Sequence, residues 1–367
     1  MIYMRRTIFL LALIALTTAS PSWAQRVDDE IDLQALYQQI DEAIDHYPQY
    51  VAIRQGQIAD SQKKLLSETN LEQRFALAEQ LYALYKPFRV DSALYYADLC
   101  IALADSLHRK DMVGFYLSHK ALQFSNAGMY VESLELLNKV DKRVLAPKQL
   151  TKYYEAWMHV CGEMGQYAKQ PDERSSYFDL QERYRDSVLA VAEKGSEEYL
   201  HLKVDVLSAR QLYQDALDVS DRWISEAPDG THEQAYAAFY RSMVYGKLSN
   251  GPMVRYWLGK SALDDIKCAV NDQASLFMLA ERLSADGDHE RAYRYVRFCE
   301  DCNTTYSPQL RNYQVRYVVS VMEAAYKNSQ ARYSRLLTIA AVGLLFFLVV
   351  VAILLVRLKR LKRKASR

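Results

Sequence analysis

Two apolar segments bracket this 367-residue chain and constrain everything between them. The first runs from Ile8 to Leu16, follows Arg5 and Arg6, and precedes Ser22-Trp23-Ala24, a small-x-small cleavage pattern. Charged, apolar and small residues in that order form a secretory signal peptide, too short to span a bilayer. The second runs from Leu336 to Val356, 21 residues without a charge, about 31 Å as a helix and so matched to a bilayer core. A buried core helix is the competing reading, and the length and basic border of the run count against it. The residues between the two segments are therefore expected to be exported and tethered by the tail.

The flanks set the orientation. Arg357, Lys359, Arg360, Lys362, Arg363 and Lys364 follow the span, then Arg367, with no acidic residue among them. Lysine and arginine beside a span stay on the cytoplasmic side, so the bulk of the chain is expected on the opposite side. These membrane-flanking bases read as a contact with anionic lipid; the alternative, a nucleic-acid patch, fits a juxtamembrane position less well. Two of the 46 bases lie in the signal peptide and seven in the tail, while all 45 acids lie between, so the exported part carries a net charge of −8. That balance argues against a dedicated nucleic-acid binder.

Between the two segments Gly and Pro are scarce, and Ala, Leu and Tyr recur at spacings of three and four, with no alternating Val/Ile/Thr runs. The region reads as helix throughout. Leu276, Leu279, Ala280 and Leu283 form one amphipathic stripe; Gly287-Asp288 supply a turn; Ala292, Val296 and Cys299 begin a second. The small residues Ala280 and Ala292 fall where two antiparallel helices would cross closely. This order of large and small residues resembles the tetratricopeptide repeat (TPR).

Other segments fit the same pattern. Leu117, Ala121 and Phe124 lead to Gly128-Met129-Tyr130, then Ser133, Leu137 and Val140. Leu200, Val204 and Leu207 lead to Tyr213, Ala216, Ser220 and Trp223, closed by Pro228. Tyr154, Trp157 and Cys161 precede Gly165-Gln166-Tyr167, with a polar insertion from Lys169 to Arg174 expected before the second helix. Weaker copies surround Ala93 and Val254. The anchors Ala93, Ser133, Ser175, Ala216, Val254 and Ala292 are spaced by about 38 to 42 residues against the family period of 34, so longer helices or turns are expected.

At the N-terminal end, residues 31–66 read as two polar helices broken at Pro48, forming a hairpin that caps the array, or alternatively a partner-binding or dimerising coiled coil. Asn70 and Gln73 resemble a capping box opening the next helix. At the other end, Ser307-Pro308 starts a helix without a further proline, expected to continue through the bilayer for about 75 Å. A second copy of the chain, meeting this helix, is kept as a candidate partner. The fold class is thus all-α: a TPR-like superhelix of stacked hairpins with a C-terminal transmembrane helix. The segments are a signal peptide (1–24), an N-terminal cap (25–69), the repeats (70–306), a juxtamembrane helix (307–335), the span (336–356) and the tail (357–367).

The whole order resembles the signal-peptide-bearing, single-pass TPR membrane proteins of Gram-negative bacteria, many of them regulatory. Ile40-Asp41, Ile44, Tyr50, Ile58 and Lys64-Leu65 are similar to the opening helices of one branch. In that branch a long cytoplasmic helical region follows the span; here eleven residues follow Val356. The resemblance implies a periplasmic array anchored in the inner membrane, which binds a protein or peptide in its groove. A sensor whose output comes from another protein is the second reading.

Nothing in the sequence nominates a catalytic residue, cofactor or metal. The seven histidines stand singly, without ligand spacing, and no glycine-rich phosphate loop or G-x-S-x-G is present. An envelope enzyme is therefore the last of three hypotheses. Cys299 and Cys302 form a C-x-x-C, open to three readings: packing, a disulfide, or redox chemistry. Cys299 sits at the small buried position of the best repeat, which favours packing. Cys100, Cys161 and Cys268 read as core.

Overall fold

The computed structural model describes residues 31–306 and 311–365, and among them all regular structure is helical. The signal peptide and the Ser307-Pro308 helix start lie outside the described residues. We number the helices in chain order. The long α1 (Leu33–Ser67) precedes six hairpins: α2 (Leu71–Tyr85) with α3 (Val90–Ser106), α4 (Lys110–Asn126) with α5 (Tyr130–Asn138), and α6 (Pro147–Tyr167) with α7 (Pro171–Val191). Then come α8 (Glu197–Ala209) with α9 (Tyr213–Glu226), α10 (His232–Lys247) with α11 (Gly251–Lys267), and α12 (Ala274–Ala285) with α13 (His289–Tyr306). The last helix, α14 (Arg311–Ala365), holds 55 residues.

One backbone device recurs between consecutive helices. The N–H of residue i bonds the carbonyl of i−5 at Arg109 to Ala104, Met129 to Phe124, Leu212 to Leu207, Asn250 to Tyr245, Val270 to Asp265 and Asp288 to Leu283, at 2.8–3.1 Å. The residue before each donor has positive φ: His108, Gly128, Gln211, Ser249, Ala269 and Gly287. This is the Schellman ending, which satisfies carbonyls that a helix terminus would leave open. Only two of the six are glycine. At the rest the repeat geometry imposes a left-handed conformation that disfavours a Cβ.

The anchors Ala93, Ser133, Ala216, Val254 and Ala292 are all buried, as the repeat requires. Ser175 is not: it is exposed on α7, whose one buried residue is Val188. The expected insertion from Lys169 to Arg174 is likewise replaced by a short turn, because Pro171 already occupies the first turn of α7. Proline suits that position, since its missing N–H would have no partner there.

The N-terminal segment departs most from expectation. Instead of a hairpin broken at Pro48, α1 is one helix of 35 residues with Pro48 inside it, about 52 Å long. Proline removes one helical bond and crowds the preceding turn, so contacts on both sides must hold the helix together. Before Pro48, Leu36, Tyr37, Ile40 and Ala43 are buried in one core with Val254, Leu258 and Ala262 of α11 and with Tyr295 of α13. Arg291 and Arg294 of α13 pair with Asp41 at 3.2 and 3.5 Å, and Arg294 also with Asp45 at 2.8 Å. After Pro48, Ile58 and Leu65 are buried with Phe75, Leu81 and Tyr82 of α2. The helix is therefore a strap joining the two ends of the array. The ends also meet directly: the Asn271 N–H donates to the Pro87 carbonyl at 2.8 Å, and its side-chain amide donates to the Phe88 carbonyl at 2.6 Å.

Asn70 caps α2, accepting from the Gln73 N–H at 3.1 Å, while Glu68 rather than Gln73 accepts from the Asn70 N–H, at 2.8 Å. Half of the expected capping box is present. At the C-terminal end, α14 docks its first turns on α13: Val319 and Met322 are buried in the core that holds α1, and Tyr326 stacks on Tyr293 at 5.1 Å. Beyond Tyr333 the helix leaves the array, and its Leu, Ile, Val and Phe side chains stand exposed. Among the described residues this is the one helix long and apolar enough to cross a membrane, consistent with a single-pass membrane protein.

Candidate functional site: the inner face of the array

The first helices of the first five hairpins carry polar or aromatic residues three or four apart, which places them on one face of each helix. These are Tyr82 and Lys86 at the end of α2, His119 and Gln123 on α4, and Lys152 and Glu155 on α6. They continue as Glu197, His201 and Asp205 on α8, and His232, Tyr236 and Tyr240 on α10. Lys86 is electrostatically coupled to Lys152, Glu155, Glu197 and His232, up to four hairpins away in sequence. In a straight stack α2 and α8 would stand tens of ångströms apart, at about 8–10 Å per packed helix. The face must therefore be concave, and closure by Asn271 and α1 keeps it so.

Lys152 sits at the centre, buried, paired with Glu155 on its own helix and with Glu198 of α8 at 3.3 Å. Burial works against its charge, but the two carboxylates outweigh that and hold its pKa above the ordinary lysine value. Burial raises Glu197 above the usual carboxylate range, and burial with the Lys152 charge nearby lowers Lys86. Neither Lys86 nor Glu197 makes an ion pair among the described residues.

Tyr82, His119 and Gln123 form the deepest part, with 4 %, 8 % and 3 % of their surface exposed. The Tyr82 hydroxyl lies beside the Gln123 side chain, and His119 Nδ1 has no hydrogen-bond partner among the described residues. His119 packs against Tyr82 with ring centroids 5.2 Å apart. Burial and the ammonium groups of Lys152, Lys86 and Lys148 keep its imidazole neutral.

At the α10 side, His201 lies against Tyr240 and Tyr236, at 5.3 and 5.8 Å, and the two tyrosine hydroxyls are 3.3 Å apart. The His232 side chain is half exposed, and its Nδ1 lies 2.7 Å from the buried Asp265 carboxylate. Burial acts to lower the His232 pKa, but the Asp265 hydrogen bond and charge prevail and raise it. Three histidines that stand far apart in sequence thus share one face.

The C-x-x-C lies elsewhere. Cys299 and Cys302 are buried free thiols of α13, not bridged in the structure. Cys299 Sγ is 3.7 Å from the Gln273 carbonyl, and burial pushes the Cys302 thiol up to about 12. Thiolate is the reactive form, so this environment suits packing. Cys268 is not core: it ends α11 half-exposed, its Sγ 3.3 Å from the Gly230 carbonyl while its own carbonyl accepts from Arg54. Arg357 is exposed at the end of the apolar run, and Lys359, Arg360, Lys362, Arg363 and Lys364 continue α14.

The inner-face residues were not singled out from sequence because each column, taken alone, looks like the solvated side of an amphipathic helix. Their readable signal is the repetition: polar or aromatic residues three or four apart on five successive first helices. Comparison with known proteins agrees with the architecture. Residues 44–317 match a family model described as the SusR N-terminal TPR domain. No curated protein matches the sequence.

Proposed function

Because the chain belongs to the SusR N-terminal TPR domain family, we propose that it is a membrane-anchored receptor that binds a protein or peptide partner on the inner face of its array. The array stands in the periplasm of a Gram-negative cell, α14 crosses the inner membrane, and the basic tail touches anionic lipid on the cytoplasmic side. The role is binding rather than catalysis. The observation that carries this reading is the convergence of five first helices on one concave, charge-lined face, with Lys152 of α6 paired to Glu198 of α8 across it. TPR arrays use that face for partners, and interfaces gain specificity from charges placed in register.

A second observation favours a sensing role for the same protein. The helix that enters the membrane is docked in the core that holds the strap α1, so a change at the array has a packed route to the span. The output is then supplied by an associated cytoplasmic protein.

Photo-crosslinking in intact membranes tests the binding role. A photoreactive residue at Glu155 should give a discrete adduct, and one at Leu66, exposed on α1, should not. Equal adducts at both positions, or none at Glu155, overturn the reading. Orientation is tested separately with a reporter fused after Arg367, which should be active in the cytoplasm.

A further inference from the structure

Four helices on one side of the array, α11, α1, α13 and α14, run side by side, and their contacts fix their relative heights. α14 begins five residues after α13 ends and returns along it, so that Tyr326 stacks on Tyr293, near the start of α13, at 5.1 Å. α1 lies along α13 in the same direction: the Tyr295 hydroxyl donates to the Tyr37 carbonyl at 3.2 Å, and further along both helices Tyr47 packs on Phe298 at 4.9 Å. α11 follows α1, again in the same direction: Gly259 faces Leu36 and Ile40, and beyond it the Cys268 carbonyl accepts from Arg54. Gly259, Tyr293 and Tyr326 therefore stand at about one height.

From that height two paths lead toward the membrane. Along α14, Tyr326 to Leu336, where the apolar run begins, is ten residues, or about 15 Å. Along α11, Gly259 back to Gly251 at the helix start is eight residues, or about 12 Å. The turn that precedes it, Leu248-Ser249-Asn250, thus stands within about 3 Å of the level of the apolar boundary. The headgroup layer on each side of a bilayer is about 5–7 Å thick. Arg255 of α11 ties the neighbouring α12–α13 turn to this level through Asp286 at 2.7 Å. Leu248 is 42 % exposed here, whereas the equivalent residues of the α8–α9 and α12–α13 turns, Arg210 and Asp286, are polar. A lone exposed leucine is ordinary; the height of this one is what singles it out. Lys247 beside it is exposed, as are Arg332, Tyr333 and Arg335 at the same level on α14.

We propose that the α10–α11 turn is a membrane-contact element: Leu248 enters the headgroup layer of the bilayer that α14 crosses, and Lys247 meets lipid phosphate there. The proposal rests on α14 spanning the membrane, and gives the array a second attachment, so that it lies on the bilayer instead of standing off on a stalk. A protein docked at this turn would have to fit a gap thinner than a helix, about 10 Å across, or displace headgroups. Lysine and arginine stems packed along apolar surface with their charges in the headgroup layer, and tyrosine at the same depth, suit this boundary.

The test uses the full-length protein in phosphatidylethanolamine–phosphatidylglycerol nanodiscs, with a photoreactive residue placed singly at Leu248, Leu66 or Val349. Leu66 is 87 % exposed at the far end of α1, about 50 Å from Leu33, and Val349 lies within the apolar run. Mass spectrometry after irradiation should find lipid adducts at 248 and 349 and none at 66. Inserting seven residues of alanine-rich helix after Ala331 lifts the array by about 10 Å and nearly preserves the face of α14. It leaves the docked Val319, Met322 and Tyr326 untouched, so the Tm should hold while the lipid adduct at 248 is lost. The proposal is overturned if 248 gives no lipid adduct, if 66 gives as much, or if the adduct survives the insertion. Lipid adducts at 349 alone would keep α14 as a span and discard the contact; none at 349 would remove the span reading as well. In intact membranes the 248 adduct should still be lipid, and a protein adduct in its place would make the turn a partner surface and overturn the proposal.

Discussion

Replacing two helical glycines by alanine separates the docking of α1 from everything else that stabilises the array. Gly56 lies within α1, and a Cβ built there meets nothing within 4 Å. Gly259 lies within α11, and a Cβ there would stand 2.7 Å from Leu36 Cδ2, 3.2 Å from Leu36 Cγ and 3.5 Å from Ile40 Cδ1. Alanine is favoured over glycine inside a helix by about 0.8–1 kcal/mol, a gain common to both sites. Gly56→Ala should therefore stabilise by about 1 kcal/mol. At Gly259 the methyl enters a packed core, where Leu36 is 5 % and Ile40 0 % exposed; overpacking costs about 1–3 kcal/mol. The net effect runs from neutral to a loss of about 2 kcal/mol, so the two variants should differ by about 1–3 kcal/mol. Urea unfolding followed by circular dichroism reads this as a difference in midpoint at constant slope. Leu36→Ala provides the cross-check. Alone it should cost about 2–5 kcal/mol, and it should cost less in the Gly259→Ala background, where the new methyl occupies part of the vacated space. A Gly259→Ala variant as stable as Gly56→Ala, with Leu36→Ala additive to it, would refute the docking of α1 on α11.

Three further outcomes are expected. Gly287→Ala should destabilise by about 1–2 kcal/mol, since φ is +91° with open space around the site, whereas Gln211→Gly should be neutral or stabilising by up to about 1 kcal/mol, the left-handed relief being offset by unfolded-state entropy; thermal unfolding of the pair checks the Schellman assignment. Ala292→Leu should lose about 3 kcal/mol at a fully buried crossing, and Glu290→Leu, on the exposed side of α13, should change little; equal effects would contradict the register. Burial of the inner face pushes Asp205 up to about 6 from 3.8 although its side chain keeps contact with solvent, so its ionised form is disfavoured in the folded state and its contribution to stability falls as pH rises through that window. Asp205→Asn should accordingly be more stable than the parent at pH values above about 6, with the difference closing on acidification toward the unfolded carboxylate value; a gap that persists at low pH would refute this assignment.

Much of this architecture is legible in the sequence because the repeat imposes it locally. Ala280, Gly287 and Ala292 each answer a local demand, two for a small side chain at a crossing and one for a positive φ. Those demands show as residue types at fixed spacing. The strap is different. Pro48 is a sound reason to end a helix, and what overrides it lies about 250 residues away, where Arg291, Arg294 and Tyr295 of α13 hold the segment before the proline. Ser175 fails for a related reason. It has the right type and spacing, yet α7 meets α6 through Gly162 and Gly165, which admit Gln181 and Phe178 closely, and so presents another face. The inner-face residues were unreadable one by one, since a charged pair three or four apart is the ordinary surface of a helix. Only curvature turns five such surfaces toward each other.

Closure changes what the array can transmit. In an open stack each hairpin touches only its neighbours, and a displacement at one repeat can be absorbed by the next. Here α1 contacts hairpins at both ends, and the Asn271 bonds to Pro87 and Phe88 carry the same connection through the backbone. A ligand that alters the opening of the inner face must therefore act on α1 or break those bonds. The first half of α1 shares its core with α13 and with Val319 and Met322 of α14, and Tyr293 clasps Tyr326 at the point where α14 turns away toward its apolar stretch. Packed cores respond by discrete shifts rather than by continuous yielding. The position of α14 relative to the membrane is thus set by the same set of side chains that closes the array, which gives the strap its physical role.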